Sequence, residues 1–368
     1  MKRIYIYILL FLTVCCLKQN FVQAINGVDQ SHYAFHYTKL NAEEQRIYRI
    51  IIEGCQKFKD KIQFTSSIDT DSLDRVFTSV LYDNPEYFWL EKSKYEYDKN
   101  GNYTLYIKVT KNTKKTFNKI NNYTNKIIAK APEGDYEKAK FYFKWIAKHT
   151  NYDANAKNNQ NIKSVFLTHS SVCNGYTKAF LYLCNKSNID CLLINGDVIK
   201  DSVKEAHAWN IVKLNGQWYN VDTTWGDNDY NNEEGLDIDW GYLCFTDKEL
   251  ISNRVLSNNP EYSNYLASRV FDYPSCKDTS YNYFKLNNLY LKKYSRNKIY
   301  KKLSPYFING QDIVSIQFSN RDELDMASND ILGDYWSEFC NRIRADRELS
   351  KIKLYISGSL NVLTFVVE

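Results

Sequence analysis

Apolar residues recur along this chain at helical and at strand spacing, and each spacing predicts an element. Behind Asn41, with Glu44 three positions on as a capping box, Ile47, Ile50, Ile51, Gly54, Cys55 and Phe58 keep a helical period. Leu73, Val76, Phe77, Val80 and Leu81 repeat it in a second amphipathic helix, which must end before Pro85. The stretch YEYDKNGNYTLYIKV alternates on both sides of Asn100-Gly101, the pattern of a hairpin. Another helix is expected from Asp135 through Ala139, Tyr142, Phe143, Ile146 and Ala147, and a further one where Cys173, Tyr176, Phe180 and Cys184 share a face. Strands follow in CLLING, HAWNIVKL and QWYNVDTTW, the last two joined by Asn215-Gly216. Beyond Trp240 the pattern loosens, and strand, helix and strands return over 311–368. The chain after residue 24 thus divides into an N-terminal α+β module (25–130), a central domain (131–250), and a C-terminal extension with a small α+β module (251–368).

Residues 1–24 read as an export signal rather than as a folded element. Lys2 and Arg3 precede an apolar run from Ile4 to Leu17, and Val22-Gln23-Ala24 fits a cleavage site, so the mature chain is expected to begin at Ile25. The run is shorter than the roughly 20 residues that cross a bilayer, which leaves an uncleaved N-terminal membrane anchor as the alternative. The protein is therefore expected outside the cell or at its surface, with no stable membrane insertion once the signal is removed. The 48 Lys and Arg stand against 43 Asp and Glu, and loss of Lys2, Arg3 and Lys18 leaves 45 basic residues with no basic stripe. Nucleic acid is not an expected partner. Usage is otherwise that of a globular protein, except for 31 tyrosines, which reflect an AT-rich genome or serve a glycan or peptide surface. Seven cysteines remain after the signal, and an odd count leaves at least one thiol unpaired within the chain. They lack CxxC spacing, and Cys55 and Cys184 fall on apolar helix faces.

The candidate chemistry begins with strand register. If Asn215-Gly216 forms a two-residue loop, Leu214 faces Gln217, His207 faces Thr224, and Asp222 becomes the diagonal neighbour of His207 on the same face, roughly 7 Å away. A carboxylate there fixes the tautomer of the imidazole and leaves its other nitrogen for a third group. Cys173 is the natural candidate, because a helix N-terminus carries about half a positive charge and unpaired N–H groups that favour a thiolate. Its own N–H can donate to an oxyanion, and Gly175 would let a substrate backbone approach. Each residue also has a plainer reading: a core cysteine, a structural histidine, and an aspartate that caps a turn.

The segments SSVCNGYTKAFLYLCNKSNIDCLLING, EAHAWNIVKLNGQWYNVDTTWGD and WIAKHTNYD resemble the transglutaminase-like superfamily, whose bacterial members carry C-x-G-Y, H-A-W-N and V-D-x-T-W in this order. The similarity covers about 135 to 250. It implies an α+β, papain-like core with a central helix packed on an antiparallel sheet, flanked by smaller α+β modules. Cys173, His207 and Asp222 match the catalytic triad. The implied reaction is thioester formation with a peptide or glutamine amide, as in a protease or amidase. Amide-crosslinking acyl transfer, or a noncatalytic surface protein that binds peptide or cell-wall glycan, is the alternative. The implied partner is a protein or peptide substrate at the cell surface, and no cofactor is expected. The nearest upstream tryptophan, Trp145, fits the core of its helix rather than an oxyanion site. The loop DNDYNNEEGLDID begins with the Asp227, Asp229, Asn231 alternation of a calcium loop, but Asn232 and Ile238 replace its glycine and glutamate, so no metal is expected.

Overall fold

The computed structural model describes residues 34–200, 203–227, 238–250, 254–256, 272–348 and 350–368, and the export signal with its cleavage site at Ala24 lies outside them. These residues form two compact units that divide between Thr116 and Phe117.

In the first unit, α1 (Phe35–Lys39) precedes α2 (Ala42–Gln56), whose predicted capping box is formed. Asn41 Oδ1 accepts from the Glu44 N–H at 3.0 Å, and Glu44 Oε2 accepts from the Asn41 N–H at 2.9 Å. The helix α3 (Thr70–Asp83) stops just ahead of Pro85. A three-stranded sheet of order β1-β3-β2 contains β1 (Lys61–Thr65), β2 (Lys94–Tyr97) and β3 (Asn102–Tyr106). The β2–β3 register, Tyr97 opposite Tyr103, shows a loop longer than two residues, with Gly101 at φ 75° in the left-handed region. Asp98 Oδ1 stabilises it by accepting from the N–H groups of Asn100 and Asn102. The pattern reading did not foresee α4 (Lys111–Ile128), which carries the chain across the division. Its buried stripe mixes Ile120 and Ile127 with Thr113 and Thr124, and that mixture hides the period.

The second unit opens with α5 (Asp135–His149). Two short strands, β4 (Asn151–Tyr152) and β5 (Ser170–Ser171), pair in parallel and return the loop between them to the head of α6 (Cys173–Lys186). Every residue of α6 from Gly175 to Asn185 is buried. It packs on an antiparallel sheet of β6 (Cys191–Lys200), β7 (Val203–Leu214), β8 (Gln217–Val221), β9 (Leu243–Phe245) and, after α7 (Asp247–Leu250), β10 (Arg254–Leu256). The strand order is β10-β6-β7-β8-β9. The β7–β8 hairpin has the predicted register, Leu214 opposite Gln217 through Asn210 opposite Val221. Asn215 and Gly216 both take positive φ, 49° and 79°, as a type I′ turn requires.

A second sheet of order β11-β12-β14-β13 completes the unit. Its strands are β11 (Tyr290–Leu291), β12 (Ile313–Phe318), β13 (Ile352–Ser357) and β14 (Val362–Val367). The helices α8 (Tyr283–Leu286), α9 (Arg296–Ile308), α10 (Arg321–Leu332) and α11 (Trp336–Asp346) accompany it. The fold is α+β, with a central helix on an antiparallel sheet and smaller α+β parts flanking it. No helix among the described residues is long and apolar enough to cross a membrane.

Candidate active site

The start of α6 is set by a tightly pinned loop. Ser171 Oγ contacts the Asn159 carbonyl at 2.8 Å and Ser164 Oγ at 2.7 Å, and Val172 leaves that anchor in extended conformation, with φ −116° and ψ 177°. Val172 is the N-cap and has no side-chain acceptor, so no side chain caps the first turn. Gly175 lets the helix lie against this loop. A Cβ there would stand 1.9 Å from Ser171 Oγ and 2.8 Å from the Asn159 carbonyl oxygen. The close approach is therefore made by the protein's own loop and not, as the sequence had suggested, by a substrate backbone.

Cys173 heads the helix, and among the seven cysteines it alone is not buried. Its side chain hydrogen-bonds the ring of His207, which projects from β7. His207 Nε2 in turn meets Asp222 Oδ2 at 2.8 Å. Asp222 stands just past the end of β8, where the expected strand breaks at Val221 and a turn begins. Asp222 itself makes that turn. Its Oδ1 accepts from the N–H groups of Thr224 and Trp225, both at 3.1 Å, and its carbonyl accepts from Gly226. Two readings that looked like rivals in the sequence, turn cap and imidazole partner, are thus held by one carboxylate, one oxygen each. The break also removes Thr224 from the strand.

The electrostatics follow from burial and pairing. Burial opposes a charge on His207, but the Asp222 carboxylate and then the Cys173 sulphur outweigh it and push the imidazole up to about 9. Asp222 is also fully buried, which works against its ionisation, yet His207, Arg254 and the turn N–H groups hold it well below the usual carboxylate range. The thiols of Cys55, Cys244 and Cys276 are pushed far up, burial being the largest cause in each. The arrangement can therefore hold an imidazolium between a carboxylate and a sulphur, at the uncapped start of a helix.

Residues 121–223 match the profile of the transglutaminase-like superfamily. The chain carries a transglutaminase-like domain. Among curated proteins, the human Kyphoscoliosis peptidase is 28% identical over 135 residues, which are 30% of this chain and 20% of that protein. The mouse Kyphoscoliosis peptidase is 31% identical over 105 residues, 25% of this chain and 16% of that protein. The chain thus matches no more than about a fifth of the length of these relatives. A solved structure described as a TGase is 14% identical, covering 45% of this chain and 50% of its own, with a TM-score of 0.27. An overlap that low adds nothing about chemistry.

Within the transglutaminase-like domain the remaining motif residues support the site. The Tyr176 hydroxyl lies within hydrogen-bonding distance of the Thr150 carbonyl oxygen, 2.6 Å, and of Asp227 Oδ2, 2.7 Å, with one proton to donate between them. Asn210 Nδ2 donates to the carbonyls of Thr177 and Leu192, tying α6 to β6. Trp209, with its ring 6.2 Å from that of His207, donates from Nε1 to Asn220 Oδ1 at 3.3 Å. Trp145 lies half-buried at the surface of its helix, stacked on His149 at 4.5 Å, rather than in the core as expected. Positions 228–237 of the acidic loop, Asp229, Asn231 and Asn232 included, lie outside the described residues. Sequence reasoning missed Arg254 altogether. It is 1% exposed, and its Nη2 donates to Asp222 Oδ2 at 2.5 Å. The only available signal was a lone cation at the head of a short apolar run, Arg-Val-Leu.

Proposed function

We propose that this protein is a cysteine peptidase or amidase that forms a thioester between Cys173 and a peptide or glutamine carbonyl. The observation that carries the reading is the thiol of a half-buried cysteine at the start of α6, hydrogen-bonded to an imidazole that a buried carboxylate holds. In the acylation step the sulphur attacks the carbonyl carbon while the first-turn N–H groups of α6 face the developing oxyanion. His207 delivers its proton to the leaving nitrogen as the C–N bond breaks, so an amine departs and a thioester remains. Water then attacks, the neutral imidazole takes its proton, and cleavage of the C–S bond restores the thiolate and imidazolium. Asp222 touches no substrate and orients the ring. The name peptidase, borne by both curated relatives, favours a peptide carbonyl and hydrolysis.

Incubating the full chain with a peptide library, with and without a primary amine, tests the proposal by mass spectrometry. Cleaved products that are absent with Cys173→Ala are expected, and amine adducts in their place would turn the assignment to acyl transfer. If neither product forms and iodoacetamide labels Cys173 no faster than free cysteine, the catalytic reading falls and a binding role replaces it. Export through residues 1–24 belongs to the same proposal. The mature N-terminus should be Ile25, whereas an intact Met1 in the membrane fraction would mean an anchor.

A further inference from the structure

Arg254 is the charged group at the site that the motifs leave unexplained. Strand register puts it there: Leu256 pairs with Gly196, which pairs with His207, while Arg254 pairs with Val198, which pairs with Glu205. Directly opposed residues share a face, so Arg254 lies on the His207 side of the sheet, one same-face position further along. Its guanidinium carbon is 4.4 Å from the ring centre of Trp225, 5.0 Å from Tyr242 and 5.6 Å from Phe245. Phe245 belongs to β9, the opposite edge of the sheet from β10, so the sheet curls until both edges close over Asp222. A guanidinium buried this deeply, 1% exposed, loses its hydration and is tolerated only against an anion. The anion is Asp222, and the oxygen that accepts from Arg254 Nη2 at 2.5 Å is the one that meets His207 Nε2 at 2.8 Å.

We propose that Arg254 is a positioning residue for the thioester chemistry: by sharing Asp222 Oδ2 with His207, it keeps the carboxylate anionic and fixed while limiting how tightly the imidazole holds its proton. The inference rests on the catalytic reading above. Acylation needs an imidazolium that gives its proton to the leaving nitrogen, and a carboxylate devoted to the ring alone, in a buried site, retains that proton too firmly. A second cation on the same oxygen withdraws part of that pull. Among the described residues, the charged and titratable groups facing His207 are Cys173 from α6, Asp222 from the turn after β8, and, through that carboxylate, Arg254 from β10. The Tyr242 ring also lies near the guanidinium, 5.0 Å away.

The test reads the imidazolium directly through carboxymethylation of Cys173 by iodoacetate, a negative reagent that a neighbouring positive ring attracts. The full chain is compared with Arg254→Met, which keeps an aliphatic stem over Trp225, and with Arg254→Gln, which keeps a donor for Asp222 and is read if the first does not fold. Circular dichroism checks the fold of each. In the wild type the rate should fall as His207 loses its proton. Removing the cation favours the protonated ring, so in either neutral variant this alkaline limb should move up by about one pH unit. Arg254→Lys, which retains the charge, should return it towards the wild-type position. A folded neutral variant whose limb coincides with the wild type overturns the proposal and leaves Arg254 a structural tie between β10 and the turn. A wild type with no falling limb would instead overturn the cysteine–histidine reading, and the role of Arg254 with it.

Discussion

Two histidines in this chain are buried against an aspartate at nearly the same distance, one in each compact unit. His36 Nδ1 lies 2.7 Å from Asp83 Oδ1, and His207 Nε2 lies 2.8 Å from Asp222 Oδ2. Around Asp83 the partners also include the backbone N–H groups of His36 and Tyr37 and the hydroxyl of Tyr48. That carboxylate is a clasp that ties the start of α1, and α2 beside it, to the end of α3. Around Asp222 the partners include a turn and a buried guanidinium, and the ring it holds reaches the thiol of the half-buried Cys173. A His–Asp hydrogen bond is therefore no sign of a site by itself. The His207 pair has beside it a third group that can react and a helix start that can receive a negative oxygen.

The comparison breaks most sharply at the thiol. Cys173→Ala should lower turnover by at least about 10⁴-fold with an unchanged melting temperature, since it removes the group that forms the bond. A measurable steady-state rate in that variant, above the level of contaminating wild type, would sink the thioester mechanism. His207→Ala comes next, with a loss of about 10²- to 10⁴-fold and slower alkylation of Cys173 by iodoacetate at neutral pH. An unchanged alkylation rate would remove His207 from the mechanism.

The same chemical change at the two aspartates should then give opposite signatures. Asp222→Asn offers a donor where an acceptor is needed, so the ring settles in the wrong tautomer and turnover should fall by roughly 10- to 10³-fold. Asp83→Asn should leave turnover unchanged and cost about 1–3 kcal/mol of stability, read by urea denaturation, because buried donors lose their acceptor. Should Asp83→Asn reduce turnover as strongly at equal fold, the contrast drawn between the pairs would be wrong.

The smallest expected effect concerns pH. The pairing raises His207 from its usual 6.5 to about 9, so its contribution to stability is full below the lower value and is lost as pH rises through the higher one. Asp222 is depressed, and its contribution is lost instead as pH falls below the usual carboxylate range. Melting temperature should therefore decline by a few degrees on going from about pH 7 to 10, and His207→Ala should flatten that decline. A wild-type decline that persists undiminished in the variant would place its cause elsewhere.

Much of this site could be read before any coordinates. The helix starting at Cys173, the two-residue turn at Asn215-Gly216 and the register it sets, and the capping box at Asn41 and Glu44 all stand in the structure. Each depends on residues within about a dozen positions of one another, and over that range backbone geometry and side-chain period translate directly into structure. The sequence also placed His207 and Asp222 on one face, through turn chemistry alone. It could not show that β8 ends at Val221, because the break is made by Asp222 accepting from its own turn, and a strand pattern runs on through Val-Asp-Thr-Thr-Trp regardless. It misjudged Gly175 because the atoms that need its missing Cβ belong to Asn159, Ser164 and Ser171, brought there by the pairing of β4 with β5. Arg254 was invisible for a deeper reason. Its contact with Asp222 spans 32 residues of chain and exists only because the sheet curls until its two edge strands meet. Local spacing determines which side chains share a face, but a curled sheet decides which faces close on one another, and there the burial of one cation against one carboxylate is settled by the whole fold.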